Sequence, residues 1–254
     1  MRHWPSVLAL FFAASGGHVT AQVPSSRDTS TQVRKKWELG RRVAEDLEKR
    51  DGSIDDTAIL GYVQHLANGL TNTAAMRPLR VRVTRSLDQY ASLLPNRALY
   101  ISAGLLDGIG NEAELAGLIA HELAHLSQSQ QGSVYSGRCV LQSPSAPSWP
   151  EDSRERELQA TTAAISYLKS AGYDPAGLLT LLSRLAYEHP DWARAIVPQD
   201  LLELRASLES EELPLRGFRL DSSGFIQLHR RLETTLGRAE GAPRRNRPSL
   251  SPRR

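Results

Sequence analysis

A His-Glu-Leu-Ala-His stretch at positions 121–125 constrains this chain more than any other feature. On an α-helix, side chains four residues apart lie on one face, about 5–6 Å apart, so the imidazoles of His121 and His125 can reach one tetrahedral metal ion. Glu122 lies about 100° further round the helix, where its carboxylate can reach a water held by the metal without itself binding the metal. The pattern therefore predicts a zinc-dependent hydrolase with Glu122 as general base.

The flanking residues favour a helix through this stretch. Asn111 followed three positions later by Glu114 has the form of a capping box, and negative charge in the first turn suits the helix dipole. Apolar residues then recur at helical spacing, at Leu115, Leu118, Ile119 and Leu123. Only Gly117 interrupts the run of helix-compatible residues, so the helix is expected to continue past His125. The alternative is an ordinary buried helix whose two histidines hold no metal.

The N-terminus has the pattern of a secretory signal. A basic start precedes an apolar run over residues 4–14, and Val19-Thr20-Ala21 offers small residues suited to signal peptidase. We predict a cleavable signal peptide at residues 1–21 and export, to the periplasm or as a secreted protein. The apolar run is shorter than the ~20 residues that span a bilayer, so an uncleaved anchor is the less favoured alternative.

Residues 22–236 are long enough for one domain with a sizeable core. Cys139 is the only cysteine, so no intrachain disulfide is possible, and a free thiol in a loop is favoured over a metal ligand. Residues 237–254 contain six arginines, three prolines and one glutamate, which predicts a disordered basic tail. We expect a solvated tail without a specific nucleic-acid partner, with contact to an anionic membrane surface as the alternative. The oligomeric state does not follow from the sequence.

Hydrophobic periodicity predicts the other elements. Helices are expected at residues 31–50, from a cap at Asp55 or Asp56 to Leu70, and at residues 151–171, 176–187, 199–208 and 223–236. Alternation at residues 79–84 and 97–102 predicts two short strands, with a turn at residues 93–96. The chain is therefore expected to be α+β and predominantly helical, with a short strand pair beside the zinc helix.

Two of the predicted non-helical segments are candidates for contacts with a substrate. A strand just ahead of the zinc helix can bind an extended peptide by main-chain pairing, and a scaffold strand is the alternative. Residues 131–150 are rich in Ser, Gly, Gln and Pro, which predicts a loop that can serve as a lid over the site.

A catalytic zinc site needs a third protein ligand while one position stays open for water. No histidine lies six residues after His125, so the candidates are carboxylates at the start of the next helix. Spacing alone does not choose among Glu151, Asp152, Glu155 and Glu157. His65, on the second predicted helix, is expected to be structural.

Residues 84–175 resemble the gluzincin zinc metalloproteases, the family of the beta-barrel assembly-enhancing protease, the HtpX heat-shock protease and the CAAX prenyl endopeptidases. The stretches that carry the resemblance are residues 103–106, 111–116, 121–125 and 171–175. The resemblance implies a gluzincin-type metalloprotease domain. It also implies a peptide or misfolded protein as substrate, in the quality control of envelope proteins.

The same resemblance assigns roles to further residues. In that family a Glu-x-x-Ala-Asp pattern precedes the Gly-Tyr-Asp-Pro turn, which implies Glu157 as third ligand and puts Thr161 where an Asp usually orients a metal ligand. Tyr90 stands where the family has Asn, and Asn96-Arg97 where it has Gly-Gly, so substrate contacts are expected to differ. Some relatives carry a histidine near the zinc after the turn helix. His189 is the corresponding regulatory candidate, with an ordinary surface residue as the alternative.

Residues and resemblance together predict a zinc metalloendopeptidase with one Zn²⁺ per chain, held by His121, His125 and Glu157. Tyr173 and His189 are candidates for stabilising the oxyanion. The rival hypothesis is a zinc-binding chaperone or assembly factor with weak or no peptidase activity.

Overall fold

The computed structural model describes residues 26–130, 153–211 and 217–237. The predicted signal peptide, the predicted loop with Cys139, and the basic tail from residue 238 onward lie outside these ranges. The chain divides into two compact units, one ending at Lys35 and one beginning at Lys36. The first contributes only the start of α1 to the described residues, and the second contains all the other elements.

The described residues form a predominantly helical α+β structure, as predicted. Its helices are α1 (Ser26–Asp51), α2 (Thr57–Thr73), α3 (Ala103–Gly108), α4 (Glu112–Gln130), α5 (Ser153–Ala171), α6 (Ala176–Glu188), α7 (Pro198–Glu209) and α8 (Ser223–Thr235), with a 3-10 helix at Pro190–Arg194. Its strands are β1 (Arg80–Thr84), β2 (Ala91–Leu93) and β3 (Ala98–Ser102). None of the described helices is long and apolar enough to cross a bilayer.

The sheet has three strands in the order β1-β3-β2, where a strand pair was predicted. β3 pairs in parallel with β1 and antiparallel with β2. The two predicted strands correspond to β1 and β3. The sequence did not reveal β2, because it is three residues long and buried at all three positions, which leaves no alternation to detect. Arg97 belongs to the turn rather than to the strand, with a φ of 63°.

Helix α2 covers the free edge of β1. Its N-terminus is capped by Asp56, whose carboxylate accepts the N–H groups of Ala58 and Ile59. The side chain of Gln64 then accepts the Val81 N–H and donates to the Leu79 carbonyl, each at 3.0 Å. A side chain thus satisfies the first main-chain groups at this edge, and further along the edge the Ile54 N–H donates to the Val83 carbonyl at 2.9 Å.

Helix α4 runs through the centre of the domain and packs against α2, α5, α6 and β2. The predicted stripe of Leu115, Leu118, Ile119 and Leu123 is fully buried, and so are the alanines between these residues. A Cβ at Gly117 would lie 2.8 Å from Leu178 Cβ, and one at Gly177 would lie 2.8 Å from the Ala113 carbonyl carbon. Glycine at both positions therefore lets α6 cross close to α4.

Candidate metal centre

The N-terminus of α4 is anchored by its cap and by an ion pair. Asn111 Oδ1 accepts the Glu114 N–H at 2.9 Å, as the capping box predicts. The Glu114 carboxylate accepts the N–H of Gly110 rather than that of Asn111, and it pairs with Arg184 of α6 at 2.7 Å. This anchoring fixes the register in which α4 presents its third and fourth turns.

Those turns carry His121 and His125, whose imidazoles lie side by side. Their Nε2 atoms are 3.1 Å apart, and the rings meet edge to face with centroids at 4.7 Å. The His121 side chain is 1% exposed and the His125 side chain 16% exposed. The two nitrogens therefore point to one position between the rings, which solvent reaches from the side of His125.

Helix α5 brings Glu157 to the same spot. Its Oε2 lies 3.0 Å from Nε2 of His121 and 3.1 Å from Nε2 of His125. Within the described ranges, this is the one group of three or more His, Cys, Asp or Glu side chains placed to share an ion. Of the other candidates, Glu155 accepts a hydrogen bond from Gln159 in an exposed position, and Glu151 and Asp152 lie outside the described residues.

The three atoms fit a zinc ion. A regular tetrahedron with bonds of about 2.0–2.2 Å separates its ligand atoms by about 3.3–3.6 Å, so a small outward movement from the observed triangle of 3.0–3.1 Å suffices. Two imidazoles and one carboxylate are a ligand set of catalytic zinc sites, in which the fourth position binds water.

The electrostatics of the site favour a cation at this spot. Burial would raise the pKa of the Glu157 carboxyl, but the charge of His125 and hydrogen bonds from both imidazoles hold that pKa well below its ordinary value. Burial likewise opposes protonation of His125, yet the carboxylates of Glu157 and Glu122 raise its pKa. Positive charge between these side chains, from a proton or a metal ion, is therefore stabilised.

Glu122 is fully buried and lies against the edge strand β2. Its Oε2 accepts the N–H of Leu93 at 3.1 Å. Tyr90 and Leu94, which flank β2, pair with β3 through their main chains. Because main-chain groups alternate in direction along a strand, the Leu93 N–H points to the opposite edge, away from β3. The sequence did not reveal this contact, because β2 is too short to show the alternation of a strand.

Thr161 lies beside the other nitrogen of His121. Its Oγ1 is 3.4 Å from His121 Nδ1, at the long end of hydrogen-bond distances. When Nε2 of a histidine binds metal, Nδ1 carries the proton, which the hydroxyl oxygen of Thr161 can accept. The structure therefore places Thr161 where a residue that orients His121 has to lie.

The structure does not bring the other histidine candidates into this group. Nε2 of His189 lies 3.4 Å from Gln89 Oε1, and the imidazole stacks on Trp192 with ring centroids 4.4 Å apart. His65 is exposed on α2. The regulatory role of His189 stays a prediction.

The suggestion that Tyr173 stabilises an oxyanion is wrong. Its hydroxyl donates to Glu112 Oε1 at 2.9 Å, at the first residue of α4. His121 lies nine residues further along, about 13 Å at the rise of an α-helix. Two of the stretches that carry the family resemblance, residues 111–116 and 171–175, thus contact each other, and Tyr173 anchors the start of α4.

Two departures from the resembled family have local structural reasons. Tyr90 is buried, and its hydroxyl contacts Thr84 Oγ1 at 2.6 Å and donates to Asp51 at 2.5 Å, which joins α1 to the sheet. Arg97 adopts the left-handed conformation that glycine favours, and its guanidinium donates to the carbonyls of Arg77 and Pro78. Both side chains bind the protein itself, and their effect on substrate contacts stays a prediction.

A model of Peptidase family M48 matches residues 60–146. This span runs from α2 through the sheet and the His-Glu-Leu-Ala-His stretch, and it ends before α5, so that Glu157 lies outside it. No curated protein matches the chain.

Proposed function

We propose that the chain is a zinc-dependent metalloendopeptidase of peptidase family M48, whose ion is held by His121, His125 and Glu157. One observation carries the proposal. Two imidazoles of α4 and a carboxylate of α5 converge to within 3.1 Å of one another. Glu122 follows His121 directly on the same helix.

The chemistry requires a Lewis acid and a base. Zinc bound at this site would polarise the scissile carbonyl and lower the pKa of a coordinated water toward ~7. Glu122 takes a proton from the attacking water and delivers it to the leaving amine nitrogen, so that one carboxylate serves as base and then as acid. The Leu93 N–H holds this carboxylate in a defined orientation.

We place the substrate peptide along the free edge of β2. The main-chain groups of Ala91 and the carbonyl of Leu93 face this edge, where an extended peptide can pair with them, whereas the Leu93 N–H is bonded to Glu122. Because the Leu93 N–H reaches Glu122, a peptide in this position runs beside the proposed base. Strand addition recognises main-chain groups and depends little on side chains, so it suits an enzyme that accepts unfolded segments of many sequences.

We further propose that the substrates are misfolded or misassembled proteins of the cell envelope. This part of the proposal is supported by the resemblance of residues 84–175 and by the signal-like pattern of residues 1–21.

Replacement of the base tests the proposal. Glu122→Gln in the full chain is expected to lower hydrolysis of a fluorogenic peptide and of casein by about 10²–10⁴-fold, because general base catalysis is lost. Zinc content by elemental analysis should stay near one ion per chain. Glu155→Gln, on the exposed side of α5, is the matched control and should cleave like the wild type.

The outcomes separate the hypotheses. Absence of zinc from wild-type protein purified without chelator would overturn the metal site. Zinc binding without peptide cleavage, combined with client binding that survives Glu122→Gln, would favour the zinc-binding chaperone instead.

A further inference from the structure

Arg154 and Asp200 form an ion pair one helical turn from Glu157. The Arg154 guanidinium donates from Nε to Asp200 Oδ2 at 2.9 Å and from Nη2 to Oδ1 at 2.7 Å. Two parallel charge-assisted hydrogen bonds fix direction as well as distance. The Arg154 side chain is 59% exposed and the Asp200 side chain 9% exposed, so Asp200 is the buried anchor.

This pair anchors the first turn of α5, where exposed side chains precede the part of the helix that packs in the core. From Ala160 onward the helix buries one face in the core, through Ala164, Ile165 and Leu168. Ahead of Glu157, by contrast, Arg154 and Glu155 are exposed. The first N–H groups of a helix have no partners within the helix, so an unsupported first turn frays. Glu157 is the fifth residue of α5, at the border between the two regions.

Asp200 is well placed to be an anchor. It lies in the first turn of α7, where its N–H donates to the Val197 carbonyl, and the next residue, Leu201, is buried in the core. Asp200, Glu157 and Thr161 all line one small cavity between α5 and the start of α7. The hydrogen bonds from Arg154 also lower the pKa of Asp200, which keeps the carboxylate charged.

We propose that Arg154 and Asp200 are positioning residues that tie the first turn of α5 to α7 and thereby hold Glu157 where it can share a zinc ion with His121 and His125. This inference rests on the proposed function. Neither residue belongs to the proposed ligand group, and both act through the backbone of α5.

The opposite end of the same helix offers a matched control. Lys169, in the last turn of α5, pairs with Glu211, just beyond α7. The two ion pairs thus connect α5 with the region of α7 at its two ends, but Lys169 lies twelve residues beyond Glu157. Loss of the Lys169 pair should leave the metal site unchanged.

The test compares metal binding by the full chain and its variants Arg154→Ala, Asp200→Asn, the double variant and Lys169→Ala. Zinc Kd is measured by competition with a chromophoric chelator, the ligand geometry by the absorption spectrum of the Co²⁺ form, and the fold by the Tm of metal-free protein. We expect the zinc Kd to rise about tenfold in each variant of the pair, at the lower end of the effect of residues that support metal ligands. The double variant should bind zinc no more weakly than either single variant, because each single change already breaks the same ion pair. Lys169→Ala should keep the Kd within about twofold and the wild-type Co²⁺ spectrum.

Arg154→Lys adds a second criterion, because lysine keeps the charge but cannot form the fork of two parallel hydrogen bonds. A zinc Kd that Arg154→Lys restores fully would show that charge alone matters and would overturn the positioning role. The positioning role would also be overturned if the Kd shifted equally in Arg154→Ala and Lys169→Ala, or in neither. In that case, tight zinc binding by the wild type would still support the proposed function. Failure of the wild type to bind zinc would remove the proposed function and this inference together.

Discussion

Thr161 lies 3.4 Å from Nδ1 of His121, where it can accept a hydrogen bond but supplies no negative charge. A carboxylate in this position makes the imidazole a better ligand and fixes its tautomer, and removal of such a partner typically costs 10–100-fold in metal affinity or activity. The residue that most clearly departs from the resembled motif is therefore expected to affect the affinity of the proposed site for zinc.

Thr161→Asp is expected to lower the zinc Kd about tenfold, because the new carboxylate accepts the Nδ1 proton of His121 and strengthens its bond to the ion. The position is 3% exposed, so the same change should lower the Tm of metal-free protein. Competition with a chelator measures the first effect and a thermal melt the second. Thr161→Asn has the shape of Asp without its charge, and an equal gain in this control would contradict the electrostatic explanation.

Several elements meet at Glu112, the first residue of α4. Its buried carboxylate accepts hydrogen bonds from Tyr62 of α2 at 2.6 Å, from Tyr173 at 2.9 Å and from Ser222, the N-cap of α8. Arg219 lies 3.6 Å from the same carboxylate. Burial would raise the pKa of Glu112, but the hydrogen bonds and the arginine lower it below the ordinary value. The start of the helix that carries the candidate metal site is thus fixed by a charged side chain.

The shift of Glu112 predicts how stability depends on pH. Because its pKa is lower in the folded than in the unfolded state, the stabilisation is fully present above the unfolded value near 4.5 and is lost as the pH falls through the folded value. Glu112→Gln should lower the free energy of unfolding by about 1.5–3 kcal/mol at pH 7, and the difference from wild type should shrink below pH 4.5. Urea unfolding at pH 7 and pH 3.5 measures this difference. The exposed Glu203→Gln serves as control and should lie within about 0.5 kcal/mol of wild type at both pH values.

For the whole molecule, the proposed ion is a cross-link between α4 and α5, which the chain connects only through residues 131–152. A ligand that binds only the folded state stabilises it by about 2.7 kcal/mol at a free concentration of 100 times its Kd. For a domain of this size, each kcal/mol raises the Tm by about 2–4 °C. Binding of the proposed ion is therefore expected to stabilise the folded state.

Zinc at 100 times its Kd is thus expected to raise the Tm by about 5–11 °C over protein treated with a chelator, as measured by calorimetry. In Glu157→Ala the rise should largely disappear, since α5 then supplies no ligand. A melt that is the same with zinc and with chelator would argue against an ion shared between the two helices.

The sequence determines those features that depend on residues a few positions apart. The helix from Glu112 onward, its cap at Asn111 and the side-by-side placement of His121 and His125 all follow from helical periodicity and local hydrogen bonds. Periodicity likewise locates the other long helices to within a few residues, apart from the start of α1. The short segments β2, α3 and the 3-10 helix lack enough residues to show a period.

The tertiary structure alone decides which distant residues meet. Glu155 and Glu157 are equivalent by spacing, and only the packing of α5 on α4 turns Glu157 to the imidazoles and leaves Glu155 exposed. The contact of Leu93 with Glu122 and the pairing of Arg154 with Asp200 join residues 29 and 46 positions apart. The reason is physical. A helix fixes its neighbours at i+3 and i+4 by its own geometry, whereas the orientation of one helix toward another depends on how all the side chains between them fill the core.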